Sequence, residues 1–321
     1  MPGKGCHRDN RRGRRSRSNR QHGQPPIPDN AGFAPRKRSR RQSCREEDEP
    51  GAIFVVYAIR YIGLLRLLAA FFAIALAAAR AQGNYEVQVY GSDLVPPHNT
   101  MVELHSNFTV QGSKTIIDGM LPTEHQEHET LEITHGFSEW FETGFYQFTS
   151  HQPPTTNHRG WMWVGTHIRP RVAVPERYRL PVGISLSTEI GYQRPIFSAD
   201  TWTWEIRPII DKKLGRWYIS FNPSLDRAFH GPDTRRGLEF SPNFKVGYDV
   251  TPKIAGGLEY YGALGPVTGF DPLRDQQQQI LPAIDLNLSP KWEFNFGVGV
   301  GVTHGTDHLL VKMILGYRLS R

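Results

Sequence analysis

Trp292-Glu293-Phe294-Asn295-Phe296-Gly297-Val298-Gly299-Val300-Gly301-Val302-Thr303 alternates without a break. In an extended chain successive side chains point to opposite faces, so Trp292, Phe294, Phe296, Val298, Val300 and Val302 share one side. Glu293, Asn295, Gly297, Gly299, Gly301 and Thr303 share the other. Leu309–Leu319 repeats the pattern, with Leu310 and Ile314 as exceptions on the polar face, and Leu238–Thr251 repeats it again.

Period-two patterning over segments of this length predicts further strands at Ile254–Leu264, Ile280–Ser289, Trp217–Asp226, Thr201–Asp211 and Val182–Gln193. Weaker patterns add Trp161–Val174, Trp140–Ser150, Glu127–His135 and Met101–Gln111. The total is twelve. Predicted connections alternate between short turns and longer loops, with His304–Asp307 departing from the rule. Such alternation is the signature of a transmembrane β-barrel with short turns on its periplasmic rim. In hydrocarbon every backbone amide and carbonyl must be paired, so a membrane-crossing sheet has to close on itself. The fold expected is therefore all-β, a transmembrane antiparallel up-and-down β-barrel of about 12 strands spanning residues 101–321. Trp161, Trp163, Trp202, Trp204, Trp217, Trp292, Tyr260, Tyr261 and Tyr317 fall at segment ends and read as interfacial girdle residues. A soluble β-sandwich would also alternate, but it accounts for neither the export signal nor the aromatic strand ends.

The composition agrees. With 17 Phe, 12 Tyr and 7 Trp the chain is too aromatic to be disordered throughout, and with 38% hydrophobic residues it is too polar for a bundle of membrane helices. The net charge of +7 is unevenly placed. Residues 1–81 hold 17 of the 38 basic and 6 of the 31 acidic residues, so the remainder is acidic, 21 against 25. The basicity gives no reason to expect a nucleic-acid partner for the folded part.

Residues 1–50 read as a disordered basic extension and residues 51–81 as a signal peptide. Its apolar run Leu67–Ala79 ends in Ala79-Arg80-Ala81, which predicts cleavage before Gln82. A non-Met start near Val55, Val56 or Leu64 would give an ordinary signal and make residues 1–50 upstream sequence. The rivals are an uncleaved helix over Ile53–Ala79, a twin-arginine reading of Ser39-Arg40-Arg41, and an Arg-rich tract that binds nucleic acid or anionic lipid. Residues 82–100 read as an N-terminal periplasmic segment. Cys6 and Cys44 both precede the cleavage point, so neither a disulfide nor a thiolate metal site is expected in the exported chain.

The segment ending Gly316-Tyr317-Arg318-Leu319 resembles the final strand of Gram-negative outer-membrane barrels, which the barrel assembly machinery reads, although Ser320 and Arg321 follow where those proteins usually end in an aromatic. Through Ser187-Thr188-Glu189-Ile190-Gly191-Tyr192 and Glu259-Tyr260-Tyr261-Gly262 the chain is similar to a loosely defined group of exported barrels, some of them linked to aromatic-degradation pathways. The resemblance covers roughly residues 86–319 and implies a fold, a place in the outer membrane, and a transport role.

A porin-like channel would carry its function on the inward face. Its expected charged members are Glu103, Glu189, Glu205, Arg207, Asp211, Glu239, Lys245, Glu259, Asp285, Glu293 and Lys312. Acids exceed bases there, which favours cations or polyhydroxyl solutes. The expected function is a passive channel or uptake protein for a small solute, and the alternative is a structural or interaction barrel with a plugged lumen. The expected partners are outer-membrane lipid, the assembly machinery and that solute.

An enzyme is not expected. His105-Ser106-Asn107 has the residue types of a lipid hydrolase, but adjacent strand residues face opposite sides. No Gly-x-Ser-x-Gly elbow occurs. His125 and His128 among Glu124, Glu127 and Glu129, and His304 with His308, have metal-ligand chemistry but the look of ordinary polar loops. No metal or cofactor is expected. Gly297, Gly299 and Gly301 point to curvature or a close neighbour inside the barrel. Asp271–Gln279 is the most polar loop, and its sequence fits either a constriction folded into the barrel mouth or a solvated loop.

Overall fold

A computed structural model describes residues 85–153 and 158–320. Among the described residues there are twelve strands, as the alternation predicts. They are β1 (Thr100–Gln111), β2 (Glu127–Ser138), β3 (Phe141–Gln152), β4 (Gly160–Ala173), β5 (Gly183–Gln193), β6 (Trp202–Leu214), β7 (Trp217–His230), β8 (Glu239–Thr251), β9 (Ile254–Ala263), β10 (Gln277–Leu286), β11 (Trp292–Gly301) and β12 (Leu309–Leu319). Each pairs antiparallel with its chain neighbours, and β1 pairs with β12 to close the barrel. The extension and signal expected over residues 1–81, and the cleavage point, lie outside the described residues.

The barrel is inside out relative to a water-soluble protein. Leu104, Phe108, Leu131, Ile133, Phe145, Ile168, Leu186 and Ile190 are exposed, while Glu103, His105, Glu132, Arg169, Ser187 and Glu189, one place away on the same strands, are buried. This division fits hydrocarbon outside and a polar lumen inside. Trp161, Trp163 and Trp202 ring the outer surface at the long-loop end, and Trp140, Trp217 and Trp292 ring it at the short-turn end. Tyr261 departs from the girdle expectation. It sits two residues from Glu259, shares its inward face, and is buried with its hydroxyl donating to Glu259 Oε2 at 2.6 Å.

One strand boundary and one register depart from the sequence pattern for identifiable reasons. β10 starts at Gln277 rather than Ile280, because Gln277 and Gln279 are lumen-facing members of the strand. The register of β4 on β3 shifts between Phe148 and Thr149, so the inward face changes from Val164 to His167, Arg169 and Arg171. Gly297 is the close approach that its alternation suggests, since a Cβ there would lie 2.3 Å from the Leu281 side chain.

Residues 82–100 are read from sequence as periplasmic, but Tyr85–Ser92 lie inside the barrel. Tyr85, Val87, Val89, Tyr90 and Ser92 are all buried. The chain runs in from β1 at the short-turn rim. There His98 N–H donates to the Gly136 carbonyl at 2.7 Å, and a Cβ on Gly136 would strike the Val95 carbonyl oxygen at 2.1 Å. The physical reason for the correction is that Val87 and Val89 find apolar partners within the lumen: Tyr261, Leu281, Ala283 and Leu310. Tyr85 joins a second cluster of Tyr146, Phe148 and Val164, with Phe197 of the β5–β6 loop packed against it.

The outer face yields a stability prediction. Ile133 is lipid-facing near the middle of β2. Ile133→Arg is expected to destabilise the barrel by about 2–4 kcal/mol, and Ile133→Leu by much less. Urea titration of the protein folded in phospholipid vesicles measures this directly.

Candidate functional site

The lumen holds a single irregular segment, Tyr85–Val95, by its backbone. Extended chain inside a barrel without a strand to pair with leaves peptide groups to be satisfied by side chains. The wall supplies them. The Tyr85 carbonyl accepts from Thr130 Oγ1 at 2.6 Å, and the Val87 carbonyl from Lys312 Nζ at 3.0 Å. Tyr90 is held on both sides of its peptide: its N–H donates to Asn222 Oδ1 at 2.8 Å, and its carbonyl accepts from Asn222 Nδ2 at 3.0 Å and Ser220 Oγ at 2.6 Å. Arg171 reaches the carbonyls of Gly91 and of Asp93, the latter at 2.9 Å. Ser92 donates through its hydroxyl to Asp211 Oδ1 at 2.6 Å and through its N–H to Asp211 Oδ2 at 3.1 Å. Val95 N–H donates to Glu142 Oε2 at 2.7 Å.

The side chain of Tyr90 is the centre of the arrangement. The guanidinium carbons of Arg169, Arg207 and Arg171 lie 4.5, 5.0 and 5.8 Å from its ring centroid. Three cations around one ring would repel, so each needs a carboxylate to remain buried. Arg169 meets Glu132 at 2.7 Å, Arg171 meets Glu142 at 3.5 Å, and Arg207 meets Glu205 at 2.7 Å and Glu86 of the inner segment at 3.8 Å. On the opposite wall Lys312 contacts Glu259 at 2.5 Å, and Lys245 contacts Glu259 at 3.2 Å and Asp285 at 2.9 Å.

Of the eleven charged residues expected on the inward face, ten line the barrel interior, and Glu239 does not. Glu205, Arg207 and Asp211 of β6 engage the inner segment. Glu189 is buried beside them and bonds His167 Nδ1. Lys245, Glu259, Asp285 and Lys312 form the second network, and Glu103 and Glu293 line a cavity of about 290 Å³ between the inner segment and the wall. Glu239 stands apart at the long-loop end, where it binds Arg236 at 2.6 Å, and Arg236 also holds Asp271 of the next loop at 2.5 Å.

Sequence reading misses Glu132, Glu142, Arg169 and Arg171. Glu142, Arg169 and Arg171 lie on β3 and β4, where inward Tyr146, Phe148 and Val164 interrupt the polar face and the register shift in β4 reverses it, whereas Glu132 stands on a clean polar face of β2 with His128, Thr130 and Thr134, a parity that identifies it as inward. His105 and Ser106 face opposite ways, as expected: His105 is buried inside and Ser106 bonds Glu129 Oε2 at 2.9 Å on the outer face. His125 and His128 do not converge. His128 is buried with its ring edge-on to Tyr85 at 4.4 Å, whereas His125 stays exposed on the loop.

Comparison with known proteins agrees with this fold. A family model described as "Putative MetA-pathway of phenol degradation" matches residues 178–318. The structure is similar to an outer-membrane channel from Pseudomonas putida F1, at 9% identity and a TM-score of 0.50, covering 73% of this chain and all of that one. It is also similar to the KdgM porin in complex with disordered oligogalacturonate, at 10% identity and a TM-score of 0.41, covering 69% of this chain and 99% of that one. The outer-membrane protein Omp33 of Acinetobacter baumannii matches at 12% identity and a TM-score of 0.37, with 70% of this chain and 100% of that one covered. No curated protein matches the sequence at a significant level. The chain has the fold of an outer-membrane β-barrel.

The backbone clasp is testable by thiol labelling. With Cys6 and Cys44 replaced by Ser, a Val89→Cys side chain is expected to be protected from maleimide, because Val89 is buried inside the lumen. Adding Ser220→Ala and Asn222→Ala removes three bonds worth about 0.5–1.5 kcal/mol each, so labelling should quicken by roughly one to three orders of magnitude.

Proposed function

We propose that this protein is a passive outer-membrane channel for a small solute and that its own N-terminal segment gates it. The observation that carries this reading is how Tyr85–Val95 is held. Its contacts are side-chain hydrogen bonds, cation–π contacts, an ion pair and two apolar clusters, and none of it is a strand of the barrel wall. Hydrogen bonds of this kind are worth about 0.5–1.5 kcal/mol net, and none of them belongs to the sheet, so the segment can leave without opening it. Withdrawal would leave a polar passage walled by the charged residues of β6, β9, β10 and β12, with carboxylates in excess. Such a lining favours cations and neutral polyhydroxyl or phenolic solutes over anions. The phenol-degradation description of the matching family makes phenol the first solute to test. The aromatic surface of Tyr146 and Phe148, with ring centroids 6.1 Å apart, offers such a ring a place to rest.

Non-enzymatic transport fits the lining better than catalysis does. The histidine nearest a lumen carboxylate is His167, and its partner Glu189 is already engaged with it. A second reading, a permanently filled structural barrel, draws on the two apolar clusters that bury Val87, Val89 and Tyr85. Planar-bilayer recording separates the two. The intact barrel is expected to give rare, cation-preferring openings, and a chain lacking residues 85–95 is expected to stay open most of the time. Silence from both, with heat-modifiable mobility showing folded protein, would establish the structural reading.

A further inference from the structure

Glu103 and His105 are two residues apart on β1, so both project into the lumen. Glu132 of β2 stands directly opposite Glu103 in the register. A ligand atom from each of the three lies within 4.8 Å of the others, and all three residues are buried. Two carboxylates facing each other across an antiparallel pair repel, and nearby Arg169 answers only one of them. It binds Glu132 Oε1 at 2.7 Å, where the Thr134 hydroxyl also donates at 2.6 Å. Glu132 Oε2 is left without a hydrogen bond, as are both ring nitrogens of His105.

The spacing of these free atoms is informative. His105 Nε2 and Glu132 Oε2 are 3.4 Å apart, longer than the usual 2.7–2.9 Å of a charged hydrogen bond. Two ligands at about 2.0–2.1 Å from a tetrahedral ion are separated by about 3.3 Å. Glu103 borders the adjoining cavity, which gives an ion and a completing water a way in. We propose that Glu103, His105 and Glu132 form a binding site for a divalent transition-metal cation of the Zn2+ type. One imidazole with two carboxylates suits such an ion, whereas Ca2+ and Mg2+ take oxygen ligands alone. Arg169 fixes Oε1 of Glu132 and thereby presents Oε2 as a single-atom ligand. The site lies on the wall beside the inner segment and does not depend on whether the lumen conducts.

The test uses the full chain, exported, purified without an affinity tag and stripped with chelator. Calorimetric titration with Zn2+ is expected to show one ion per barrel. His105→Gln and Glu103→Gln should each weaken binding at least about tenfold, since losing even an outer-shell partner commonly costs that much. Co2+ should give visible d–d bands that His105→Gln abolishes. Heat-modifiable mobility checks that each variant folds, and Glu132→Gln, which keeps its amide oxygen near Arg169, serves if Glu103→Gln does not. Zn2+ binding that persists in His105→Gln and fails instead in a His304→Gln, His308→Gln double variant would place the ion on the exposed loop and overturn the proposal. So would the absence of stoichiometric binding to the folded wild-type protein.

Discussion

Closure of the sheet between β1 and β12 governs everything else in the molecule. Once Leu104 is paired with Leu315 and Asn107 with Lys312, no strand edge is left for hydrocarbon to strand. The period of two then governs each strand outside its bulges: each side chain is committed either to lipid or to the lumen. Lys312, Glu259, Glu132 and Arg169 are buried because they stand on inward positions of a closed wall. A charge buried without a partner costs several kcal/mol, so the inward positions had to become a network.

The network is completed from within. A twelve-strand barrel is wider than one whose interior side chains can fill it alone. Residues 85–95 occupy part of that width, and the wall meets them with groups that satisfy a peptide backbone. Tyr90 is the meeting point, with its peptide held by Ser220 and Asn222 and its ring among three arginines. Those arginines are themselves paired to Glu132, Glu142 and Glu205. Removing Tyr90 from the lumen therefore leaves the wall ion pairs intact, which is the property a gate needs. The apolar contacts of Val87 and Val89 favour the segment's staying in the lumen.

Much of this was legible in the sequence. Alternation in β8, β11 and, apart from two residues, β12 identifies the fold, and the inward charges of β6, β9, β10 and β11 follow from parity alone. What was not legible is where alternation fails. Leu310 and Ile314 looked like exceptions on β12, and Tyr261 looked like a girdle residue. Leu310 and Tyr261, with Leu281, face inward to receive Val87 and Val89. Tyr146, Phe148 and Val164 do the same for Tyr85 and thereby hide the polar parity of Glu142, Arg169 and Arg171, while that of Glu132 on β2 is open to reading. Apolar residues on a polar face were the signal of an internal partner, and Val87-x-Val89 was the nearest segment able to supply one. The bulge in β4 could not be anticipated, because nothing local to Val164-Gly165 distinguishes a bulge from a continuous strand.

Gating of this kind requires the inner segment to be both resident in the lumen and able to leave it. Ser92 and Asp211 are in direct contact, so a cysteine at each, in a chain free of Cys6 and Cys44, would lock the segment to β6 by a disulfide. Single-channel recording of that protein, before and after reductant is added to the same bilayer, is the most direct measurement. A closed barrel under oxidising conditions that begins to open within minutes of reduction is the predicted result. Identical traces in the two states, whether silent or conducting, would contradict it.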